Sequence, residues 1–171
     1  CAGGVIGLAR AAELALAEPG RRVLFVVAEL CGLTFRPGDV SKSNVIATVL
    51  FGDGAAAALI STSGDGPEIT HPGEHTWTDT LDVMGWNIED DGFGVLFSQD
   101  IPSLVTRELP PVLDAYLERS GLAMGDFAGF ICHPGGAKVI AALEQVFGVP
   151  EGGLGHARDV LRDFGNMSAV T

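Results

Sequence analysis

Arg21-Arg22-Val23-Leu24-Phe25-Val26-Val27-Ala28-Glu29 is an almost unbroken β-prone run, and no other stretch limits the choice of fold so strongly. Continuous apolarity of this kind marks a strand buried on both faces, within a sheet covered by helices on each side. The preceding residues agree. Apolar positions 5, 8, 12 and 16 follow helical spacing, alanine dominates, and Pro19-Gly20 ends the run, so a helix precedes the strand. Leu30 to Asp39 reads as loop, Ser43 to Leu50 as a short helix, and Phe51-Gly52-Asp53-Gly54 as a turn into a second strand, Ala55 to Ser61. The best boundary in the chain lies at residues 61 to 67.

Beyond it, Thr70 to Thr80 has the look of a surface loop. Its His71 and His75 are separated by Pro72-Gly73, which makes a shared helix face, and so a metal site, an unfavourable reading. Leu81 to Ile88 and Gly92 to Ser98 predict a hairpin around Glu89-Asp90-Asp91-Gly92. Asp100-Ile101-Pro102 starts a helix, with Asp100 as its cap, that should be disturbed at Pro110-Pro111 and end at Gly121. Ala128 to Cys132 predicts a short buried strand delivering His133. Pro134-Gly135-Gly136 turns into a helix over Ala137 to Phe147, and His156 to Phe164 forms the last one. The chain opens without Met and stops at Thr171 inside an element, so it reads as part of a longer protein.

Composition removes several function classes. The chain has 171 residues, 47% of them hydrophobic, which is ample for a core and unlike a disordered chain. Asp and Glu outnumber Lys and Arg 22 to 10, for a net charge of −12. Such a field repels nucleic acid and anionic membrane, and it opposes an anionic substrate unless basic residues from elsewhere line the entrance. Cys1, Cys31 and Cys132 form neither a metal-ligand spacing nor an even disulfide set, which suits a reducing cytoplasm.

Cys1 stands at or just before the first helix. Unpaired N–H groups and the helix dipole there favour thiolate over thiol, and Ala2-Gly3-Gly4 lets another molecule approach the sulfur. A small buried core thiol is the alternative. Cys1, His133 and Asn166 share a pattern: each lies where strand or loop gives way to a helix, beside Gly or Pro. In alternating α/β architectures such turns gather at one end of the sheet. A Cys, a His and an Asn meeting there suit a cysteine hydrolase, with His as base and Asn orienting it. They suit equally a decarboxylating acyl transferase, in which the thiolate carries an acyl group while His and Asn donate to the carbonyl of an incoming malonyl thioester. Spacing alone does not choose.

The motif series does. Cys1-Ala2-Gly3-Gly4, Leu50-Phe51-Gly52-Asp53-Gly54-Ala55-Ala56-Ala57, His133-Pro134-Gly135-Gly136 and Gly165-Asn166-Met167-Ser168 resemble, in order and interval, the motifs of type III polyketide synthases, the chalcone-synthase-like enzymes. The resemblance spans the chain. It implies an α/β thiolase-like fold of two similar βα halves in a layered α-β-α-β-α arrangement, with residues 1–64 the remainder of the N-terminal half and 65–171 an incomplete C-terminal half. It further implies a homodimeric, cofactor-free, metal-free cytoplasmic enzyme, with no nucleic-acid or membrane partner. Such an enzyme loads an acyl-CoA starter on Cys1, extends it with malonyl-CoA and cyclises the product, His133 and Asn166 carrying decarboxylation and enolate stabilisation.

By the same resemblance Phe51 matches a gatekeeper, Cys31 and Thr34 shape the pocket, and Ser168 binds substrate beside Asn166. Trp86 falls where the cavity floor is often Gly. Val95 stands where many plant members have a second gatekeeper Phe; Phe93 or Phe97 would replace it only through a change of strand register. The wording around Trp86 and Phe97 is similar to microbial members that make alkylpyrones or alkylresorcinols. An initiating ketoacyl-carrier-protein synthase shares the Cys-His-Asn set but typically has Gln-Ala-Asn after His, and Thr after Gly-Asn. An N-terminal-nucleophile hydrolase using Cys1 leaves the other three motifs unexplained, and retention of Cys1, His133 and Asn166 together argues against a non-catalytic thiolase-fold scaffold.

Overall fold

The computed structural model describes residues 1–171. Its first helix, α1 (Gly3–Ala17), buries the small side chains of Ala11, Ala12 and Ala15. That slim face lets it lie close on strand β1 (Arg22–Leu30): a β-carbon at Gly7 would overlap the Phe25 ring. Strand β2 (Asp53–Ser61) pairs antiparallel with β1, from Arg22 opposite Ser61 to Leu30 opposite Asp53.

Burial alternates along β1. Val23, Phe25 and Val27 are half-buried, while Leu24, Val26 and Leu30 are exposed. The expectation of a strand buried on both faces is therefore not met. Successive side chains point to opposite sides of a strand, and α1 covers only one of them.

Helix α2 (Lys42–Leu50) begins one residue earlier than the sequence predicts, capped by Ser41, whose Oγ accepts from the Asn44 N–H at 3.3 Å. Strands β3 (Met84–Glu89) and β4 (Gly92–Phe97) form the expected hairpin, with Trp86 opposite Val95. Phe93, Val95 and Phe97 are two apart on β4 and so share a face, which corrects the expectation that either Phe needs another register to take the place of Val95. Strand β4 packs against α2 and the 3-10 turn Cys31–Thr34. Arg36, 10% exposed, holds the hairpin there through Glu89 at 2.8 Å and Asp91 at 2.6 Å.

Helix α3 (Ile101–Ser120) runs unbroken through Pro110-Pro111, contrary to expectation. The prolines remove the donors that would bond the carbonyls of Thr106 and Arg107. Arg107 and Pro111 are exposed, so water can take up much of that loss. Asp100 does not cap the helix with its side chain; its own N–H is held by Ser98 Oγ at 3.1 Å.

The strand expected over Ala128 to Cys132 is absent. No other strand lies alongside to exchange hydrogen bonds, yet a period of two survives: Phe130 and Cys132 face the core and Ile131 is fully exposed. Phe130 stacks on Phe147 with centroids 4.3 Å apart. Helix α4 (Ala137–Phe147) packs on α3, and with α5 (Gly155–Phe164) it encloses Ile140, Leu154 and Ala157. The α4–α5 loop is closed by buried Glu144, which accepts from Gly152 N–H at 3.0 Å, Leu154 N–H at 3.3 Å and the Arg158 fork at 3.1 and 2.6 Å. No helix is long and apolar enough to cross a membrane.

Candidate active site

Residues Asn166 to Thr171 draw the distant parts of the chain together. Asn166 extends the Leu50–Gly52 segment as a parallel bridge partner of Phe51: its N–H donates to Leu50 O at 2.8 Å, and its carbonyl accepts from Gly52 N–H at 3.0 Å. Only glycine permits this approach, since a β-carbon at Gly52 would overlap the Phe164 carbonyl. Next to it, the 3-10 turn Ser168–Val170 packs on β1 and on the start of α1. A β-carbon at Gly4 would overlap Ala169 O, and the Ala169 N–H donates to Glu29 Oε1 at 3.3 Å. At the end of the turn, Thr171 Oγ1 lies 2.8 Å from His133 Nδ1.

One short segment thus touches the Cys1 end of α1, the Phe51 loop, the end of β1 and the His133 loop. Asn166 is 1% exposed. Its Oδ1 accepts from Ser168 N–H at 2.9 Å, which orients the amide so that Nδ2 is the free donor, with one long contact to Gly135 O at 3.4 Å. Ser168 holds this geometry with φ at 54°, a left-handed conformation that a non-glycine residue adopts at some cost. Its main chain holds both neighbours, the N–H donating to Asn166 Oδ1 and the carbonyl accepting from Thr171 Oγ1.

His133 Nε2 is shielded from solvent and has no hydrogen-bond partner. Burial lowers the imidazole from the ordinary 6.5 to about 4, so it is neutral at pH 7. Cys1 itself is exposed, one residue before the N-cap of α1. The other two thiols are held protonated: burial raises both, and Glu29 and Asp53 raise Cys31 further.

Cys31 opens the 3-10 turn in which Thr34 Oγ1 donates to Cys31 O at 2.7 Å, and Asp53 fixes that turn by accepting from Gly32 N–H at 2.7 Å. Trp86 and Val95 sit across from each other on the hairpin, whose strand β4 packs on this turn. A cavity of about 1040 Å³ lies between α1, the loop 69–77 and α3, and a smaller one of about 110 Å³ is bounded by Cys132, Pro134 and Thr171. The large cavity includes His71 and His75 but none of the expected site residues. No group of three or more His, Cys, Asp or Glu is arranged to hold a metal ion.

With the geometry in place, the relatives become decisive. The chain matches the N-terminal domain of chalcone and stilbene synthases over residues 1–64 and their C-terminal domain over residues 69–171. It belongs to the chalcone and stilbene synthase family. Within that family it is 44% identical, over its whole length, to a Bacillus subtilis (strain 168) protein named "Putative chalcone synthase", of which it covers 49%. It is 35% identical to the 1,3,6,8-tetrahydroxynaphthalene synthase of Streptomyces peucetius subsp. caesius, over 100% of this chain and 47% of that protein. Its backbone superposes with a TM-score of 0.90, at 26% identity, on the crystal structure of 1,3,6,8-tetrahydroxynaphthalene synthase from Streptomyces coelicolor A3(2), a bacterial type III polyketide synthase, covering 99% of this chain and 49% of that one. The fold is therefore the α/β, thiolase-like fold of type III polyketide synthases. The chain spans about half the length of the curated relatives it matches.

Sequence reasoning missed two residues of this site. Thr171 carried no motif, and Glu29 was part of a quoted segment without a role.

Proposed function

We propose that this chain carries the reacting residues of a type III polyketide synthase, an acyltransferase whose substrates are coenzyme A thioesters. The observation that carries the reading is the meeting of the Cys1 helix start, His133 and Asn166 around one turn, in a chain of the chalcone and stilbene synthase family. Cys1 thiolate attacks the starter thioester; a C–S bond forms to Cys1, the C–S bond to coenzyme A breaks, and coenzyme A leaves as its thiolate. Malonyl-CoA then loses carbon dioxide, and its thioester oxygen takes the enolate charge, which Asn166 Nδ2 and neutral His133 stabilise as hydrogen-bond donors. The enolate carbon attacks the Cys1-bound acyl group, releasing Cys1. After further rounds the chain cyclises to a pyrone or resorcinol.

Phe51, Cys31 and Thr34 adjoin this site and are assigned to the walls of the substrate channel; Trp86 and Val95 are assigned to the product cavity. The two halves divide at 64/65, and the working enzyme is a cytoplasmic homodimer without a bound cofactor. The names of the Streptomyces relatives favour a second product class, a hydroxynaphthalene. Incubating the complete polypeptide that contains this sequence with labelled malonyl-CoA and a panel of acyl-CoA starters separates these outcomes by product mass. Pyrone or resorcinol products that vanish in Cys1→Ala are expected. Products of hydroxynaphthalene mass would replace the ring assignment, and untouched malonyl-CoA with folded protein would overturn the synthase reading.

A further inference from the structure

The β3–β4 hairpin belongs to residues 69–171, yet a residue of the 1–64 segment grips it. Arg36, two positions after the Cys31–Thr34 turn, donates from Nη2 to Glu89 Oε2 at 2.8 Å and to Asp91 Oδ1 at 2.6 Å, and from Nε to Asp91 Oδ2 at 3.3 Å. Its own base is fixed as well: Nη1 donates to Asp39 Oδ2 at 3.2 Å, and the Arg36 carbonyl accepts from Asn44 Nδ2, on a buried side chain, at 3.0 Å. Every other ion pair stays within one of the two segments.

Side chains alternate across the hairpin, which decides what this grip can do. Glu89 shares a face with Gly94, where a β-carbon would overlap Glu89 Oε1 and stand 3.2 Å from Arg36 Nη1. Glycine at 94 therefore leaves the notch that the carboxylate and the guanidinium fill. Trp86, Phe93 and Val95 lie on the opposite face, with the Trp86 and Phe93 rings edge to face and their centroids 6.0 Å apart. Arg36 thus holds the hairpin from behind. A lone two-stranded hairpin is marginally stable in water, so where Trp86 and Val95 stand depends on what secures its back.

We propose that Arg36 is a positioning residue for product length: through Glu89 and Asp91 it sets how far the hairpin stands from the Cys31–Thr34 turn, and so how much room Trp86 and Val95 leave for the growing chain. Its planar fork binds Asp91 through two nitrogens while reaching Glu89, which a lysine ammonium cannot reproduce. The product-length role rests on the synthase reading; the grip on the hairpin does not.

The complete polypeptide is compared with Arg36→Gln, Arg36→Lys and the double variant Glu89→Gln/Asp91→Asn. Amide hydrogen exchange over residues 84–97 reads the grip. Product masses from one acyl-CoA starter and malonyl-CoA, beside acylation of Cys1 in the same samples, read the room. Arg36→Gln is expected to exchange about tenfold faster in the hairpin, and to shift the ratio of products differing by one malonyl-derived unit about threefold at unchanged Cys1 acylation. The double variant should reproduce both changes and Arg36→Lys should fall between. Wild-type exchange in folded Arg36→Gln overturns the proposal. So does faster exchange with the wild-type product ratio, or an equal fall of all products together with Cys1 acylation. If Arg36→Gln does not fold, the double variant decides by the same readings. A wild-type polypeptide that makes no extended product counts against the synthase reading, and exchange then decides the grip alone.

Discussion

Asn166 is fixed through its oxygen, which accepts from Ser168 N–H, so its NH₂ group is the part left to act. Asn166→Asp keeps the shape and the acceptor but replaces the donor with negative charge where enolate charge would develop. Carbon dioxide release from labelled malonyl-CoA is expected to fall about 10²- to 10³-fold, the usual loss for one oxyanion donor. Acyl loading on Cys1 should persist, and equal loss of both steps would contradict the assignment. Cys1, His133 and Asn166 were legible in the sequence because each sits in a glycine-rich turn of recognisable wording. Thr171 was not, since no local wording marks its contact with His133 Nδ1. The left-handed backbone of Ser168, and the main-chain hydrogen bonds it makes to Asn166 and Thr171, were not legible either.

At the scale of elements, the α4–α5 loop is closed by a carboxylate. Arg158 hydrogen bonding, the largest cause, holds Glu144 below the ordinary carboxylate range despite its burial. A depressed carboxylate contributes stability that is present above its unfolded value and is lost as pH falls through the folded one. His133 acts in the same direction, because the unfolded imidazole takes up a proton near 6.5 and the buried one only near about 4. The melting temperature is therefore expected to drop steadily between pH 7 and pH 4. Glu144→Gln should melt a few degrees lower at pH 7 and show a shallower decline below pH 4.5, where the wild-type carboxylate begins to protonate, as thermal melts extended into that acid range would reveal; a variant that parallels the wild type there would remove Glu144 from the explanation. Helices α1, α2, α4 and α5 were readable within a residue or two, because their apolar spacing and glycine stops are local. The 128–132 strand was misread because a strand needs a neighbour, and the neighbour is not a local property.

Over the whole molecule, only 14 of 171 residues are buried, and apolar side chains such as Leu24, Val26 and Leu59 stand exposed on one face of the β1–β2 sheet. Composition promised more core than this chain encloses, since hydrophobic content says how much surface seeks cover and not where the cover lies. The net charge of −12 likewise sets a field against anionic thioesters without locating the cations that would offset it. Arg36, Arg158 and Arg162 are all engaged with carboxylates. What the fold does provide is one turn at which sequence-distant residues meet, and that is the point to test. The complete polypeptide would be incubated with an acyl-CoA starter, quenched in acid and analysed by intact and peptide mass spectrometry. An added acyl mass on the Cys1 peptide, absent in Cys1→Ala and slowed in His133→Gln, is the predicted result. Acylation on Cys31 or Cys132 with Cys1 unmodified, or none at all in folded protein, would contradict it.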